Sequence, residues 1–539
     1  MGSESKRLLS FIHVLLWTRF GSSTAIVSER IMSNVLAYDF GTGGIKASVY
    51  RPDGECLVSH FATYDTHYLR PGWHEQSTGD WWRATVEATG AMLAQWDGAA
   101  DSIAGIGISG HSLGLVALDA NGALLRENAI IWSDSRPDTQ PAKFFAAVSE
   151  DDWYMTTGNG FPASLYTALK IMWLRDNEPE VFTKLGMVLG SKDYINYRMT
   201  GVMKTDYSYA SGSGVWDLNN WKYSGKLLMA AGLDPHIFPE AGPSSEVIGT
   251  LTAQAAGELG LPASVKVVCG GVDNSCMALG ARAFRDGDVY NSMGSSSWIA
   301  VTDSKPLLDA ASRPYVFAHI VPEKFTSAIG VFSTGSSFRW IKEQLCSDLS
   351  FEQMLDQAAE SPPGAGGVMF LPTMAGGSSL DPSQNVRGGF VHLDLGATRG
   401  DMLRAAIEGI AMAQAMALKQ LEKLSPLSSE MLAVGGGARS DFWMQIYADM
   451  YGKSMIRSQV GQQAAALGAA AAAFVGLGLW GDYSPIGEIH KISSVIEPIS
   501  ENTAACDKQL AIFEKLNGYL CDVGDEMSRL LRIRERNKG

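Results

Sequence analysis

Apolar and polar positions alternate with a period of two between residues 35 and 60, in the runs VLAYDF, KASVY and ECLVSHF. The turn signals GTGG and RPDG separate these runs, so the pattern predicts an antiparallel meander. Residues 80–97 carry a helical period, and IAGIGIS at 103–109 reads as a buried strand. LVALDANGALL at 115–125 predicts a hairpin turning at Asn121-Gly122. Residues 164–200 read as mostly helical. VKVVCGG at 265–271 is a strand running into a glycine turn, and a helix is expected over 274–284.

The opening pattern then returns. VYNSMGSSSWIAVTD, residues 289–303, is again strand, small polar turn, strand. Set on residues 35–50, Gly294 falls on Gly41, Ser295 on Thr42, and Ser292 where Asp39 stands. Two like turns a domain's length apart predict related halves facing one cleft. A third glycine turn lies in LAVGGGARSDFWMQIYADMYG, residues 432–452. There Ser440 is the expected N-cap, and Phe442, Trp443, Ile446 and Met450 form an apolar helical face. Backbone N–H groups in such turns suit an anion, and a carboxylate at the lip, Asp39, suits a cation beside it.

Composition narrows the class. The 539 residues allow two or more domains, and 46% hydrophobic with 19% charged residues describes an ordinary globular protein. A net charge of −14 argues against nucleic acid or an anionic membrane as a general partner. The six cysteines are scattered without a CxxC pair, which fits reduced thiols and a cytoplasmic setting. HEQST at 74–78 begins like a zinc motif but lacks the second histidine, so no metal-ligand cluster is expected. Residues 1–31 contain KRLLSFIHVLLW, too short to span a bilayer. They read either as a weak signal or transit segment or as an extension outside a globular chain that begins at Met32. The alanine-rich GAAAAAFVGLGLW at 468–480 reads as a buried helix.

Two motifs point elsewhere. GIGISG at 105–110 matches GxGxxG, but the residues after it read as a hairpin strand rather than the helix a dinucleotide site needs. GHSLG at 110–114 matches the GxSxG nucleophile elbow, making Ser112 the nucleophile of a rival serine hydrolase with His392 or His490 as base. That reading also requires a helix directly after the elbow. A third class, a non-enzymatic ATP-driven chaperone or filament protein, would keep the phosphate turns without a sugar pocket.

Taken in order, the motifs resemble the FGGY family of carbohydrate kinases, within the sugar kinase, heat-shock chaperone and actin fold. DFGTGGIKA resembles its first phosphate motif, WHEQSTGDWW an early substrate-side motif, and LYTALKIMWLRDNEPEVF its first signature, with Leu165 unusual at the first position. SKDYINYRMTG resembles the next helix segment of the family, GGVDNSCMALG the catalytic segment, SMGSSSW the second phosphate motif, and GGGARSDFWMQIYADMYG the nucleotide-binding signature. The resemblance runs from about residue 34 to about residue 480. It implies an α/β fold of two ribonuclease H-like domains around a central cleft. The expected division is an extension over 1–31, an N-terminal domain over 32–284 and a C-terminal domain over 285–539.

The resemblance also implies roles. The reaction is ATP-dependent phosphorylation of a sugar hydroxyl, with Asp273 as catalytic base; the alternative for Asp273 is an N-cap. As an ordinary aspartate with a pKa near ~3.9, it would be a weak base that takes its proton late. Asp39 is expected to hold Mg²⁺ through water, or else to cap its own turn. Gly41, Thr42, Gly43 and Gly44, with Gly294, Ser295 and Ser296, are expected at the ATP phosphates. Lys46 either reaches a phosphate or is a solvated strand lysine. Gly435, Gly436, Gly437 and Ser440 are expected at the nucleoside, or at a tight turn needing φ > 0. The sugar side is assigned to His111, Ser112, Trp73, Glu75, Asp273 and Asn274, with Trp73 equally readable as a core aromatic. Partners are a small sugar and ATP; homodimers are common in such kinases, but no residue here reads as a dimer interface.

Within the family the chain is most similar to the xylulokinases (pentulose kinases), which makes D-xylulose the first acceptor to consider. It departs from them on the sugar side. Where those enzymes usually carry Gln-Met-His-Gly, residues 111–114 read His-Ser-Leu-Gly, and where they carry Ser-Gly-Glu-Arg-Thr-Pro, residues 375–380 read AGGSSL. Another ketose, a tetrose or polyol, or autoinducer-2 therefore remains open as the acceptor.

Overall fold

A computed structural model describes residues 33–460 and 463–536 of the chain; the 1–31 extension lies outside the described residues. The apolar runs assemble into two seven-stranded sheets. In the first, β1 (Asn34–Gly41), β2 (Gly44–Tyr50) and β3 (Cys56–Thr63) form the expected antiparallel meander. On the other side of β1 lies β4 (Ile103–Gly110), parallel to it. β5 (Val247–Thr250) and β6 (Lys266–Val268) complete the path β3-β2-β1-β4-β6-β5, and the short β7 (Gly271–Val272) runs beside the end of β4. The second sheet holds β8 (Val289–Met293), β9 (Ser297–Asp303), β10 (Tyr315–Ala318), β11 (Phe325–Val331), β12 (Glu430–Val434), β13 (Ser454–Ser458) and β14 (Ile492–Ile496). Its order is β10-β11-β9-β8-β12-β13-β14.

The two sheets repeat each other pair by pair. The antiparallel pairs β1/β2 and β2/β3 correspond to β8/β9 and β9/β11. The parallel pairs β1/β4 and β4/β6 correspond to β8/β12 and β12/β13, and the antiparallel edge β6/β5 to β13/β14. The edge strands β5 and β14 enter in different chain order, and β10 is an added edge in the second sheet. The likeness of two turns thus extends to nearly the whole of each sheet.

β1 is apolar at successive positions because both of its faces are covered. Leu36, Tyr38 and Phe40 pack with Trp81, Ala84 and Ala88 of the helix Thr78–Gln95. Val35 and Ala37, pointing the other way, pack with Ala469 and Ala473 of the helix Ala464–Gly476. This alanine-rich helix follows the second sheet's β13 in sequence yet lies on the first sheet. It approaches too closely for side chains at several points. A Cβ on Gly107 of β4 would lie 2.2 Å from the Ala469 carbonyl oxygen. A Cβ on Gly468 would lie 2.0 Å from the Cys276 carbonyl oxygen, and one on Gly280 1.8 Å from that of Ala464. The glycines of GIGISG therefore seat a helix, not a dinucleotide.

The stretch 164–200 is mostly helical, as expected, in the helices Thr167–Asn177, Pro179–Phe182 and Ser191–Thr200, with the strand Met187–Leu189 before the last. That strand forms because Val116–Leu118 of the predicted hairpin needs an antiparallel partner. The helix after the catalytic segment spans Asp273–Gly280 rather than 274–284, because Arg282 adopts φ 64° and turns the chain toward the second sheet. Among the described residues no helix is long and apolar enough to cross a membrane.

Gly468→Ala should destabilise the protein by about 1–3 kcal/mol in urea unfolding, since backbone atoms must separate to admit the methyl group. Gly90→Ala, on the exposed side of Thr78–Gln95 with nothing within 4 Å of the added carbon, should instead stabilise it by up to about 1 kcal/mol.

Candidate active site

Three of the candidate groups meet at the C-terminal end of β4. Ser109 is the register partner of Asp39 and donates its hydroxyl to Asp39 Oδ1 at 3.0 Å. On the other side, Ser109 and Gly110 pair with Gly271 and Val272 of β7. Asp273 is the next residue after Val272, and His111 the next after Gly110. Backbone pairing alone therefore gathers Asp39, His111 and Asp273.

Burial shapes their charges. The Asp273 carboxyl is pushed up to about 7, first by burial and further by the negative charge of Asp39; the Asn274 N–H, 2.8 Å from its Oδ1, opposes the shift. This corrects the expectation of an ordinary, weakly basic aspartate. Asp39 is also raised by burial, while the Ser109 hydroxyl and the charge of Lys46 oppose the rise. Lys46 lies directly across from Asp39 on β2. His111 is buried, and burial pushes its pKa down to about 4, so the ring is neutral. Neither ring nitrogen makes a full hydrogen bond, although the Gly41 carbonyl lies close enough to oppose the fall in pKa. A buried ring so weakly bonded is an opening for a polar ligand.

The loop after His111 is held from behind. Ser112 is buried, and Leu113 takes φ 59°, unusual for a residue with a branched side chain. The wholly buried Lys170 donates to the carbonyls of Leu113 and Ile131, both at 2.9 Å, and of Leu165 at 2.7 Å. Burial pushes its pKa down to about 7. No elbow helix follows Ser112; the next element is the strand Val116–Leu118. His392 Nδ1 hydrogen-bonds the Gly367 carbonyl and His490 Nδ1 the Ser458 hydroxyl, and among the hydrogen bonds of the described residues neither ring reaches Ser112. The hydrolase reading falls on the missing elbow helix.

The first phosphate turn exposes Gly41 and Gly43, with Thr42 half-exposed between them, but Gly44 is buried, where a Cβ would strike the Ala62 carbonyl at 2.4 Å. Gly44 thus belongs to the strand pairing rather than to the lip. Side chains tie the turn down: Tyr64 donates to the Gly41 carbonyl at 2.5 Å, Gln76 to the Thr42 carbonyl at 2.8 Å, and Trp132 to the Thr42 hydroxyl at 3.1 Å. The second turn exposes Gly294, Ser295 and Ser296. Its carbonyls accept the N–H groups of Thr334, Gly335 and Ser336, at the start of the helix Gly335–Gln344. This supporting segment is an addition to the expected site, although VFSTGSSF carries the same small-residue signature between a strand and a helix.

The third turn joins the others. Gly435 has φ 100°, and a Cβ there would lie 2.7 Å from the Met293 carbonyl oxygen beside the second turn. Gly437 packs on the Met293 side chain, whereas Gly436 opens onto free space. Ser440 caps the helix Asp441–Tyr451, accepting the Trp443 N–H, so its part in the structure is the cap. A cavity of about 330 Å³ lies here, lined by Gly435, Arg439, Arg457, Gln459 and Gln463 from the second half and by Lys46 from the first. Arg439 belongs to the GGGARSD motif and Arg457 to none; with Lys46 they bring three basic side chains to a cationic recess, where Arg457 also pairs with Asp441.

Comparisons with known proteins agree with this geometry. Residues 34–280 match the FGGY family of carbohydrate kinases, N-terminal domain, and residues 289–477 its C-terminal domain. A xylulose kinase of Staphylococcus epidermidis is 29% identical over 89% of this chain and 96% of its own. One of Klebsiella pneumoniae is 30% identical over 82% of this chain and 89% of its own. Among solved structures, the xylulose kinase from Rhodospirillum rubrum superposes with a TM-score of 0.84 at 28% identity, covering 91% of this chain and 100% of that one. Glycerol kinase from Plasmodium falciparum, solved with ADP, shares the fold at a TM-score of 0.81 and 19% identity, over 90% of this chain and 98% of that one. The chain belongs to the FGGY family of carbohydrate kinases. It is an ATP-dependent enzyme that phosphorylates a sugar hydroxyl.

In this kinase the expected sugar side is only partly assembled for a ligand. Glu75 is buried and pairs with Arg126 and Arg136, each at 2.8 Å, so its carboxylate is committed to two guanidinium groups. Trp73 is half-buried, edge-on to Trp173, with Arg136 at 4.3 Å and Arg70 at 4.8 Å from its ring centre. Both residues build the wall of the site through Arg136, which in turn pairs with the buried Asp134 at 2.8 Å. Asn274 is half-buried beside Asp273 at the start of its helix. The Asp273 N-cap alternative does not hold, since the cap position is Val272.

The raised Asp273 has a sign that two measurements can read. An enzyme that uses Asp273 in its deprotonated form should lose kcat/KM tenfold per pH unit below about 7. Folding runs the other way: the folded value, about 7, lies above the unfolded 3.8, so stability declines as pH rises through that window and stays lower above it. Asp273→Asn should accordingly melt at a higher temperature than the wild type at pH 8, with the difference vanishing toward pH 4.

Proposed function

We propose that this kinase transfers the γ-phosphate of ATP to D-xylulose, giving D-xylulose 5-phosphate, with Asp273 as the base. The observation that carries the acceptor is the set of near-full-length relatives named xylulose kinase. Asp273 is supported as base by its raised pKa and its place next to Asp39 and the neutral His111. It orients the acceptor hydroxyl and takes its proton as the bond to phosphorus forms. His111, neutral and held only weakly by the Gly41 carbonyl, leaves at least one ring nitrogen for a sugar hydroxyl.

The nucleotide fits the cationic recess. Gly436 leaves room for the ribose or base, and the exposed tips of the first and second turns take the phosphates. Mg²⁺ arriving with ATP supplies charge neutralisation at the transferring group. Asp39 suits it as a single protein carboxylate reached through water, oriented by Ser109. Residues 32–284 and 285–539 are the two domains in this reading, closing on the substrates to keep water out.

One observation favours a second acceptor. Leu113 sits in the apolar cluster with Tyr166 and Tyr209, at the place where xylulokinases usually carry a sugar-facing histidine. That change suits another ketose, a tetrose or polyol, or autoinducer-2. ADP release with Mg-ATP across a panel of these acceptors decides between the readings. D-xylulose should give the highest kcat/KM, and Asp273→Ala should lower kcat about 10²–10⁴-fold while ATP still binds. A different sugar leading the panel by tenfold would replace D-xylulose, and an active Asp273→Ala would remove the base assignment.

A further inference from the structure

Beneath the turn that carries Asp273 lies a charged cluster sealed from solvent, formed by Lys192, Asp193 and Asp206. Lys192 Nζ lies 2.9 Å from Asp206 Oδ1 and also pairs with Asp193. Asp193 accepts in addition from the Thr205 hydroxyl and the Gly190 N–H. Asp206 caps the helix Tyr207–Ser211, and its Oδ2 takes the hydroxyl protons of both Ser208 and Ser244. The Ser208 hydroxyl then accepts the N–H of Val272 at 2.9 Å. Val272 is the residue before Asp273. Further along the same segment, Lys192 and Asn196 donate to the Cys269 carbonyl at 3.4 and 2.8 Å, and the Ser244 carbonyl accepts the Gly270 N–H at 2.9 Å.

A buried ion pair is a poor choice for stability alone, because an apolar substitute often does as well. What it adds is direction. A serine hydroxyl has one proton, and Asp206 takes it, so only the oxygen lone pairs remain for Val272. Lys192 holds the other Asp206 oxygen at 2.9 Å and so fixes the carboxylate toward which the Ser208 hydroxyl points. We infer that the Lys192–Asp206–Ser208 chain is a positioning device for the base, setting the Val272 amide and thereby the place of the Asp273 carboxylate relative to Asp39 and His111. Ser208 acts through the backbone and touches no substrate, so it is a positioning residue. The inference rests on Asp273 being the base.

Ser208→Ala removes the hydroxyl while leaving the helix cap from Asp206 to Tyr209. Misplacement by a fraction of an ångström to one ångström should lower kcat about 10- to 100-fold, with the KM for ATP within twofold of the wild type. Thr205→Val is the control: it deletes a hydrogen bond to Asp193 in the same buried cluster with no link to Val272, and should lower the melting temperature while kcat holds. Should Ser208→Ala not fold, Asp206→Asn keeps an oxygen for the cap, removes the orienting charge and is read in the same way. A kcat for Ser208→Ala within twofold of the wild type overturns the inference, as does an equal fall in kcat for Thr205→Val at matched stability. Asp273→Ala is measured alongside: if it remains active the base assignment fails, and if it is inactive while Ser208→Ala is normal only the positioning role fails.

Discussion

Everything in the catalytic half depends on how β4 ends. Ser109 is paired on both sides, to Asp39 of β1 and Gly271 of β7, and the last residue, Gly110, pairs with Val272. Ladder hydrogen bonds fix neighbouring strands about 4.8 Å apart. Three groups of different chemistry, a lip carboxylate, a neutral imidazole and a raised carboxyl, are thereby placed without any of them touching the others. The side chains need only point outward from the strand ends. This is the general economy of α/β sheets, whose ligand sites form beyond the carboxyl ends of parallel strands.

That placement has an electrostatic cost, and the cost is informative. Asp39 and Asp273 both lose solvent, and the Asp39 charge adds to the burial that raises Asp273 toward neutrality. Lys46 offsets part of the charge from the facing strand, and the recess it shares with Arg439 and Arg457 offsets more for an anionic ligand. Ordering such a site against repulsion requires a stiff support, and the buried Lys192–Asp206 pair below β7 and Lys170 behind the His111 loop have that character.

The two halves share apolar clusters, such as Val272 and Tyr209 with Tyr290, Phe317 and Val434, and at one crossing backbone meets backbone. Gly280 and Gly468 let the helices Asp273–Gly280 and Ala464–Gly476 cross with main chain against main chain. One of these helices begins at Asp273, and the other leaves the recess lined by Arg439 and Arg457 near Gln463. Such a crossing suits a molecule that has to close on two substrates and open again.

Much of this was legible in the chain. The period-two runs, the three glycine turns and the order of motifs established the sheets, the repeat and the kinase chemistry, because these features depend on local backbone geometry and on short contiguous segments. The glycines of GIGISG and the serine of GHSLG were correctly set aside for the same reason, since their neighbours have the wrong period. What the sequence could not reveal was which polar side chains are left without partners and which are consumed. Glu75 looked like a sugar ligand and is spent on Arg126 and Arg136; His111 is held only weakly, by the Gly41 carbonyl; Arg439 and Arg457 meet Lys46 from more than 390 positions away. The pKa of Asp273 depends on burial and on a charge 234 residues earlier, and neither exists until the chain has folded. Local pattern determined the elements and the chemistry they could host; only tertiary packing decided the charge, the partners and the freedom of each group, because those depend on distance in space rather than distance along the chain.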